Sequence, residues 1–514
     1  MRAITTVGGF TMLSRVFGFV RDILIANFLG TGMVADAFFV AFRFPNLFRR
    51  LFAEGAFSAA FVPIFSSVLE REGDASARLF ANQAFSVLAV ILVIFVAAIE
   101  VIMPWAMIVL APGFDQVPGK MELATELSRI AFPYLLFISL VSLQSGVLNS
   151  LHQFAAAAAA PVLLNLTFIA ALLVFATRTE TAGHALAWAV SASGVIQFLW
   201  LIYHCRKAGF GVGFVRPKLS PNVRVLGKRI LPVVFGASLY QINLLIGTIL
   251  ATLVSDGAVS YLYYADRVAQ LPLGVVGVAV GTALLPMLSR QLTAGQERDA
   301  LHSQNRGVEF CLLLTLPAAL ALLVIPLPIV SVLFERGAFD AEASAATAAA
   351  LAAYGTGLPA YVLIKVLAPG FFARQDTSTP VRIAALSMVI NIVMNLVLMQ
   401  IWGHVGIAYA SSLAAWVNAL ALAIILKKRG HLQFDARLMR RSVRVFAASA
   451  MMASGLYFAA DFLSPLLTGG DLASALALAL LVGGGLVVYA GLAQILGAAS
   501  WRDLKSLKRT GKAA

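Results

Sequence analysis

Residues 11–58 read TMLSRVFGFVRDILIANFLGTGMVADAFFVAFRFPNLFRRLFAEGAFS. Two long apolar runs here are interrupted by Arg15, Arg21, Asp22, Asp36, Arg43, Arg49, Arg50 and Glu54. Gly8, Thr11, Arg15, Gly18 and Asp22 advance by alternating steps of three and four, which puts them on one stripe of a helix. Asp36, Arg43 and Arg50 form a second stripe, with Asn46 beside it. An ionisable group in the middle of a bilayer costs about 2.5–3.5 kcal/mol on insertion scales. If these runs lie in lipid, their charged stripes must face one another or a wet cavity.

The rest of the chain says that they do lie in lipid. Of 514 residues, 60% are hydrophobic and 12% are charged, and the mean hydropathy is +0.89. A soluble domain is nearer half apolar and a quarter charged. At roughly 35 residues per helix and loop, the length corresponds to about 14 or 15 spans. The expected fold is therefore an all-α polytopic membrane protein with about 14 transmembrane helices and no sizeable soluble domain. Apolar runs place the spans near 4–29, 34–68, 78–110, 122–149, 155–177, 183–205, 222–253, 258–290, 304–334, 342–373, 380–402, 405–427, 437–463 and 472–498. Pro45, Pro63, Pro133, Pro272, Pro286 and Pro359 fall inside them, each removing one backbone hydrogen bond.

The net charge is +14, which on a soluble chain would suggest nucleic acid. With the N-terminus cytoplasmic and sides alternating, 27 of the 38 basic residues fall in cytoplasmic segments. Four, Lys120, Arg129, Arg178 and Arg336, fall outside. That bias fits the positive-inside rule with both termini cytoplasmic, so most of the charge is a topology signal. Arg15, Arg21 and Asp22 interrupt the apolar core that a cleavable signal would need. Cys205 and Cys311 offer neither a disulfide framework nor metal-ligand spacing.

An internal repeat organises the spans. VPIFS at 62–66 returns as LPMLS at 285–289, an offset of 223. PWAMIVLAPGFD, ending at Asp115, echoes PIVSVLFERGAFD, ending at Asp340, and Pro133 and Pro359 sit alike in spans four and ten. The chain divides into six-helix lobes at 1–205 and 222–427, a basic linker at 206–221, a helix pair at 437–498 and a basic tail at 499–514. Halves of six helices insert in the same orientation, and transporters of this kind bind substrate at the repeat interface.

Internal ion pairing is one reading of the charged stripes, but five arginines against Asp22, Asp36 and Glu54 leave an excess of two. Asp266 and Arg267 in span eight and Lys365 in span ten add to it. Arginine's planar fork matches phosphate or carboxylate bidentately, so a shared cavity would suit an anionic, phosphorylated ligand. The six histidines lie mostly at span ends, where interfacial anchoring is the simpler reading. Glu100 reads as a snorkelling carboxylate.

In order along the chain, SRVFGFVRD at 14–22, LPLGVVGVAVGTALLPMLSR at 271–290, LFERGAF at 333–339 and FFARQDTSTPVRIA at 371–384 resemble the MurJ/MviN family of lipid II flippases. The resemblance runs from the first span to at least the eleventh. It implies a MOP-superfamily fold: two six-helix lobes around a central cavity, with the last helix pair forming a groove for a lipid tail. It also implies transport of undecaprenyl-diphosphate disaccharide-pentapeptide from the inner to the outer leaflet, by alternating access, in a bacterial inner membrane. Arg15, Arg21 and Arg267 match the family's diphosphate-binding arginines. Ser14, Asp36, Asn46, Arg49 and Glu54 match positions at the cavity and its lateral gate. Asp22, Arg43 and Asp266 are weaker matches, read as structural or gating. No catalytic residue, cofactor or metal is expected. Some family members have a sodium site that includes carboxylates among spans seven, eleven and twelve. Here those spans offer only amides such as Asn243, Asn391, Asn395 and Asn418, so membrane potential is the expected drive. The expected protein is a monomer, in contact with membrane lipids and the peptidoglycan synthesis machinery but not nucleic acid.

Alternatives stay open at this point. One is an exporter of another lipid-linked oligosaccharide, or of drugs. A membrane transferase or phosphatase would need a DxD, HExxH or Walker-type cluster that the chain lacks. A scaffold would need more docking surface than the short loops give, and an anion channel would have no use for the added helix pair.

Overall fold

The computed structural model describes residues 2–50 and 57–499. Among these residues every regular element is helical. In chain order they are α1 (Arg2–Leu29), α2 (Met33–Phe48), α3 (Phe57–Leu110), α4 (Lys120–Ala131), α5 (Tyr134–Ser150), α6 (Phe154–Phe175), α7 (Ala182–Lys207) and α8 (Pro221–Thr252). Then follow α9 (Ala258–Thr293), α10 (Glu297–Val324), α11 (Pro326–Phe334), α12 (Ala341–Phe372), α13 (Ser378–Lys428), α14 (Ala436–Phe462), α15 (Ser464–Leu467) and α16 (Asp471–Ile495). Among the described residues, nine helices are long and apolar enough to cross a membrane. Their surfaces carry large apolar side chains such as Val101, Trp105, Phe458 and Val487, each more than 60% exposed. Lipid is the solvent that accommodates such a surface.

Two of these helices are double. α3 is 54 residues long but turns at Gly73 (φ 82°), and α13 is 51 long but turns at Gly403 (φ 57°). Positive φ is disfavoured for a residue bearing Cβ, so glycine lets each chain reverse within one residue. The turns fall between the expected second and third spans and between the eleventh and twelfth. Proline divides two other spans: Pro133 separates α4 from α5 rather than lying inside one helix, and Pro326 opens α11 after α10 stops at Val324. A proline amide has no N–H to donate back along the helix.

Contacts group the chain into two compact units, one of residues up to Ser260 with Arg336–Phe339, the other of Tyr261–Glu335 and the residues from Asp340 onward. This boundary reflects packing and differs from the sequence repeat, which starts its second copy at 222. α8 stays with the first unit because Val223 and Leu226 join that unit's core.

That core is an aromatic ladder. Phe57, Phe61 and Phe65 recur every four residues on α3 and stack at 5.3 and 5.5 Å, and Phe61 stacks on Phe80. Phe210, in the segment after α7, closes the end against Phe65. In the second unit, whose core includes Leu284, Val366, Phe371 and Leu422, α12 and α13 cross on small residues. A Cβ on Gly357 of α12 would stand 2.5 Å from the Ser412 hydroxyl of α13. At that approach Ser412 Oγ donates to the Ala353 carbonyl (2.8 Å) and Trp416 Nε1 to that of Thr356 (2.9 Å). Such close, hydrogen-bonded crossings are the usual way helices associate in lipid. α14 packs on α10 and α16, and Tyr489 of α16 donates to the Leu313 carbonyl of α10 (2.6 Å). Cys205 on α7 and Cys311 on α10 are free and buried.

Candidate functional site

The charged stripe of α1 is bound into the first unit by α6. Arg21 Nε and Nη2 donate to Asp22 Oδ1 at 3.0 and 2.7 Å, and Nη1 donates to Asn165 Oδ1 at 2.9 Å. The guanidinium also lies 5.5 Å from the centre of the Phe168 ring. Asn165 turns its amide nitrogen to the Ser14 carbonyl at 2.9 Å, with the Ser14 hydroxyl at 3.4 Å. Gly18, one turn along α1, faces the same Asn165 side chain. Arg21 and Asp22 are buried, Ser14 is half-buried and Arg15 is exposed. The structure thus brings together Ser14, Arg21 and Asp22, and it adds Asn165. Sequence reading passed over Asn165, although a lone amide in the apolar run VLLNLTF is the kind of signal that finds such a brace.

α2 carries two arrangements. Near its start Asp36 is fully buried, and its carboxylate is saturated by protein. Lys120 Nζ donates to Oδ2 (2.8 Å), as does the Gly257 N–H (2.8 Å). The Ser260 N–H donates to Oδ1 (2.8 Å), joined by the Ser260 hydroxyl. Gly257 and Ser260 flank the N-terminus of α9, where free N–H groups and the helix dipole favour an anion. Lys120 also meets Asp256 and lies 4.3 Å from the Phe114 ring centre. Lys120, one of the four basic residues expected on the outer side, is buried at 2% exposure. The ammonium at the first position of α4 meets a carboxylate whose remaining lone pairs are hydrogen-bonded, which offsets the cost of burying both ions.

Further along α2, Arg43 donates to Thr248 of α8. Asn46 Nδ2 donates to the Phe42 carbonyl (3.0 Å) and Arg49 Nε to Asn46 Oδ1 (2.9 Å), so Asn46 orients Arg49. Glu54 lies outside the described residues. In the second unit, Arg267 is half-buried with its guanidinium 4.8 Å from the Tyr263 ring centre, and Gln270 donates to Asp266 one turn away. On α13, Asn391 and Asn395 are buried and joined by an amide–amide bond of 3.0 Å.

Chemically, the described site has guanidinium groups pre-oriented by carboxylate and amide partners, in helices that otherwise read as apolar. That suits the recognition of a phosphate or carboxylate, and charge-assisted bonds of this kind are about twice as strong as neutral ones.

Comparison with known proteins adds an independent line. The family model described as "Lipid II flippase MurJ" matches residues 25–477. The chain is 46% identical over 520 residues to the "Probable lipid II flippase MurJ" of Rhizobium meliloti, covering 100% of this chain and 97% of that one. It is 39% identical over 463 residues to the "Lipid II flippase MurJ" of Burkholderia cenocepacia, covering 89% and 90%. Among solved structures, "Lipid II flippase MurJ, inward closed conformation" matches with TM-score 0.79 at 23% identity, over 97% of this chain and 99% of that one. An inward-facing multidrug resistance MATE family transporter of the MOP superfamily matches with TM-score 0.67 at 16% identity, over 83% of this chain and 98% of that one. At those identities the structural likeness speaks for the fold alone.

Proposed function

The chain belongs to the MurJ family of lipid II flippases, and from that premise we propose how its charged helices handle the substrate. It is a multi-pass protein of the bacterial inner membrane, a transporter rather than an enzyme, and lipid II is its substrate. The proposal concerns the route. Arg15, Arg21 and Arg267 meet the diphosphate during alternating access, which carries the head group from the inner to the outer leaflet while the polyprenyl tail stays in lipid. Arg49, oriented by Asn46, and Ser14 assist, and Glu54 acts at the lateral gate. Asp22 and Asn165 position Arg21. Asp36 acts from behind, holding Lys120 and the start of α9, because its oxygens are already occupied. Arg43 and Asp266 serve the same supporting role.

The observation that carries this reading is the setting of Arg21. A guanidinium held by Asp22 and Asn165 loses little further freedom on binding a second anion. The exposed apolar flanks of α14 and α16, including Phe458, Leu472 and Val487, suit a hydrocarbon tail. Both termini are cytoplasmic in this reading, and the protein works as a monomer beside the peptidoglycan synthesis machinery. Drive comes from the membrane potential, at about 2.3 kcal/mol per charge per 100 mV. A sodium ion among Asn243, Asn391, Asn395 and Asn418 would lack carboxylates to balance it.

The test is outer-leaflet lipid II in cells depleted of their own flippase and complemented with this chain or its Arg267→Ala variant. An added enzyme that cleaves only externally exposed lipid II reports translocation. Wild type restores cleavage and the equally expressed variant does not. Restoration by both would remove Arg267 from the site, and restoration by neither would point to another lipid-linked substrate. Replacing external sodium by potassium leaves the wild-type signal unchanged, whereas collapsing the potential abolishes it.

A further inference from the structure

Away from the arginines, three potential ligand atoms converge where α4 meets the start of α7. His184 Nε2 lies 3.4 Å from Glu126 Oε1 and 4.0 Å from Glu180 Oε2, and the three ligand atoms all fall within 4.8 Å of one another. His184 is 6% exposed, yet its Nε2 is buried with no hydrogen-bond partner. The two carboxylates are exposed and free to adjust, with side-chain exposures of 57% for Glu126 and 80% for Glu180.

We propose that Glu126, Glu180 and His184 form a binding site for a divalent transition-metal cation, zinc in preference to others, that clamps α4 to the start of α7. The geometry is close to what zinc requires. With bonds of about 2.0–2.1 Å, tetrahedral ligands stand about 3.3 Å apart. The His184–Glu126 separation already matches that edge, and the exposed Glu180 closes the remainder by a rotamer change. The imidazole is also set for the task. His184 Nδ1 lies 2.9 Å from Thr181 Oγ1, and an Nδ1–H donating there turns the Nε2 lone pair toward the carboxylates. The backbone beside His184 is closely packed on α4, since a Cβ on Gly183 would stand 2.9 Å from Val34 and 3.2 Å from Leu127, the residue after Glu126. One imidazole with two carboxylates selects against calcium and magnesium, which take all-oxygen shells, and the absence of thiolate from the set selects against copper(I). Two carboxylates and a neutral imidazole balance a 2+ ion, and three protein ligands leave a fourth position for water.

The test uses the full chain in detergent with its affinity tag removed. It is stripped with chelator and then dialysed against buffered zinc, manganese or magnesium. Wild type retains one zinc per chain by elemental analysis, and zinc raises its melting temperature, because a cation that binds only the folded state stabilises it. Glu126→Gln and His184→Gln abolish both effects. Thr181→Val weakens retention by about 10–100-fold, the usual cost of losing a partner behind a ligand. Glu180→Gln, whose side chain is too exposed for its loss to unfold the protein, weakens retention more than tenfold. The proposal is overturned if wild type keeps no zinc at micromolar free metal, which would make the cluster an ion pair only. It is equally overturned if Glu126→Gln and Glu180→Gln keep zinc as wild type does.

Discussion

α1 and α2 handle buried polarity in one way, and α13 handles it in another. In the first pair the polar groups are charged, and besides neighbours such as Asp22 for Arg21 they take partners from far along the chain. Arg21 reaches Asn165, Asp36 reaches Lys120 and Ser260, and Arg43 reaches Thr248. In α13 the interior polar groups are neutral; those that are bonded use their own helix or the adjoining one, while Ser387 Oγ has no hydrogen-bond partner. Asn395 bonds Asn391 one turn back, and Ser412 and Trp416 use carbonyls of the adjoining α12. The amide bond lies within one helix, and it leaves Asn391 Nδ2 and Asn395 Oδ1 buried without a hydrogen-bond partner. A buried ion needs other helices held in place around it, which ties the local fold to the charge.

The largest effect expected from this contrast is at Asp36. Asp36→Ala strands two N–H groups at the start of α9 and leaves the buried Lys120 ammonium with the exposed Asp256 alone, a loss of about 3–5 kcal/mol. It should appear as a lower melting temperature of the purified protein. Asp36→Leu combined with Lys120→Met recovers part of that loss; an unchanged melting temperature for Asp36→Ala would dissolve the contrast. Next comes Asn165→Leu, which removes an acceptor from Arg21 and a donor from the Ser14 carbonyl, at about 1–3 kcal/mol. The matching double change on α13, Asn391→Leu with Asn395→Leu, removes both partners of its bond and should be close to neutral. Equal losses from the two would show that local and long-range pairing weigh the same.

The smallest effect lies outside the spans. His431, between α13 and α14, is held below the ordinary histidine range by burial and by the nearby Arg374 and Arg429. As pH falls through that range, the unfolded chain takes up a proton that the folded chain refuses, so stability declines. His431→Gln should flatten the melting temperature between pH 7.5 and 5.5. The neighbouring Asp376 has the opposite charge and the same sign of dependence. Hydrogen bonds from Thr379 and Arg429 lower its pKa, so its contribution is complete above the ordinary carboxylate range and fades only in strong acid.

Much of this was legible in the sequence, because apolar runs, glycine and proline act locally. The turns at Gly73 and Gly403 fall between expected spans for that reason. What could not be read is which charges neutralise which. A helical stripe joins residues three and four apart, whereas Arg21 and Asp22 are adjacent, and the flexible guanidinium folds back onto its neighbour. Lys120 has its partner 84 residues earlier, beyond any local pattern. Asp36 looked available for a ligand because the N–H groups that fill it belong to backbone, which carries no sequence signature.

The two thiols have a practical consequence. Cys205 and Cys311 are both 0% exposed, so aqueous maleimide has no route to either in the folded protein. The natural chain is therefore already a silent background for cysteine-accessibility mapping. A single Glu180→Cys and a single Lys218→Cys, labelled in intact cells with a reagent that does not cross the membrane, would read the sidedness of the α6–α7 and α7–α8 connections directly.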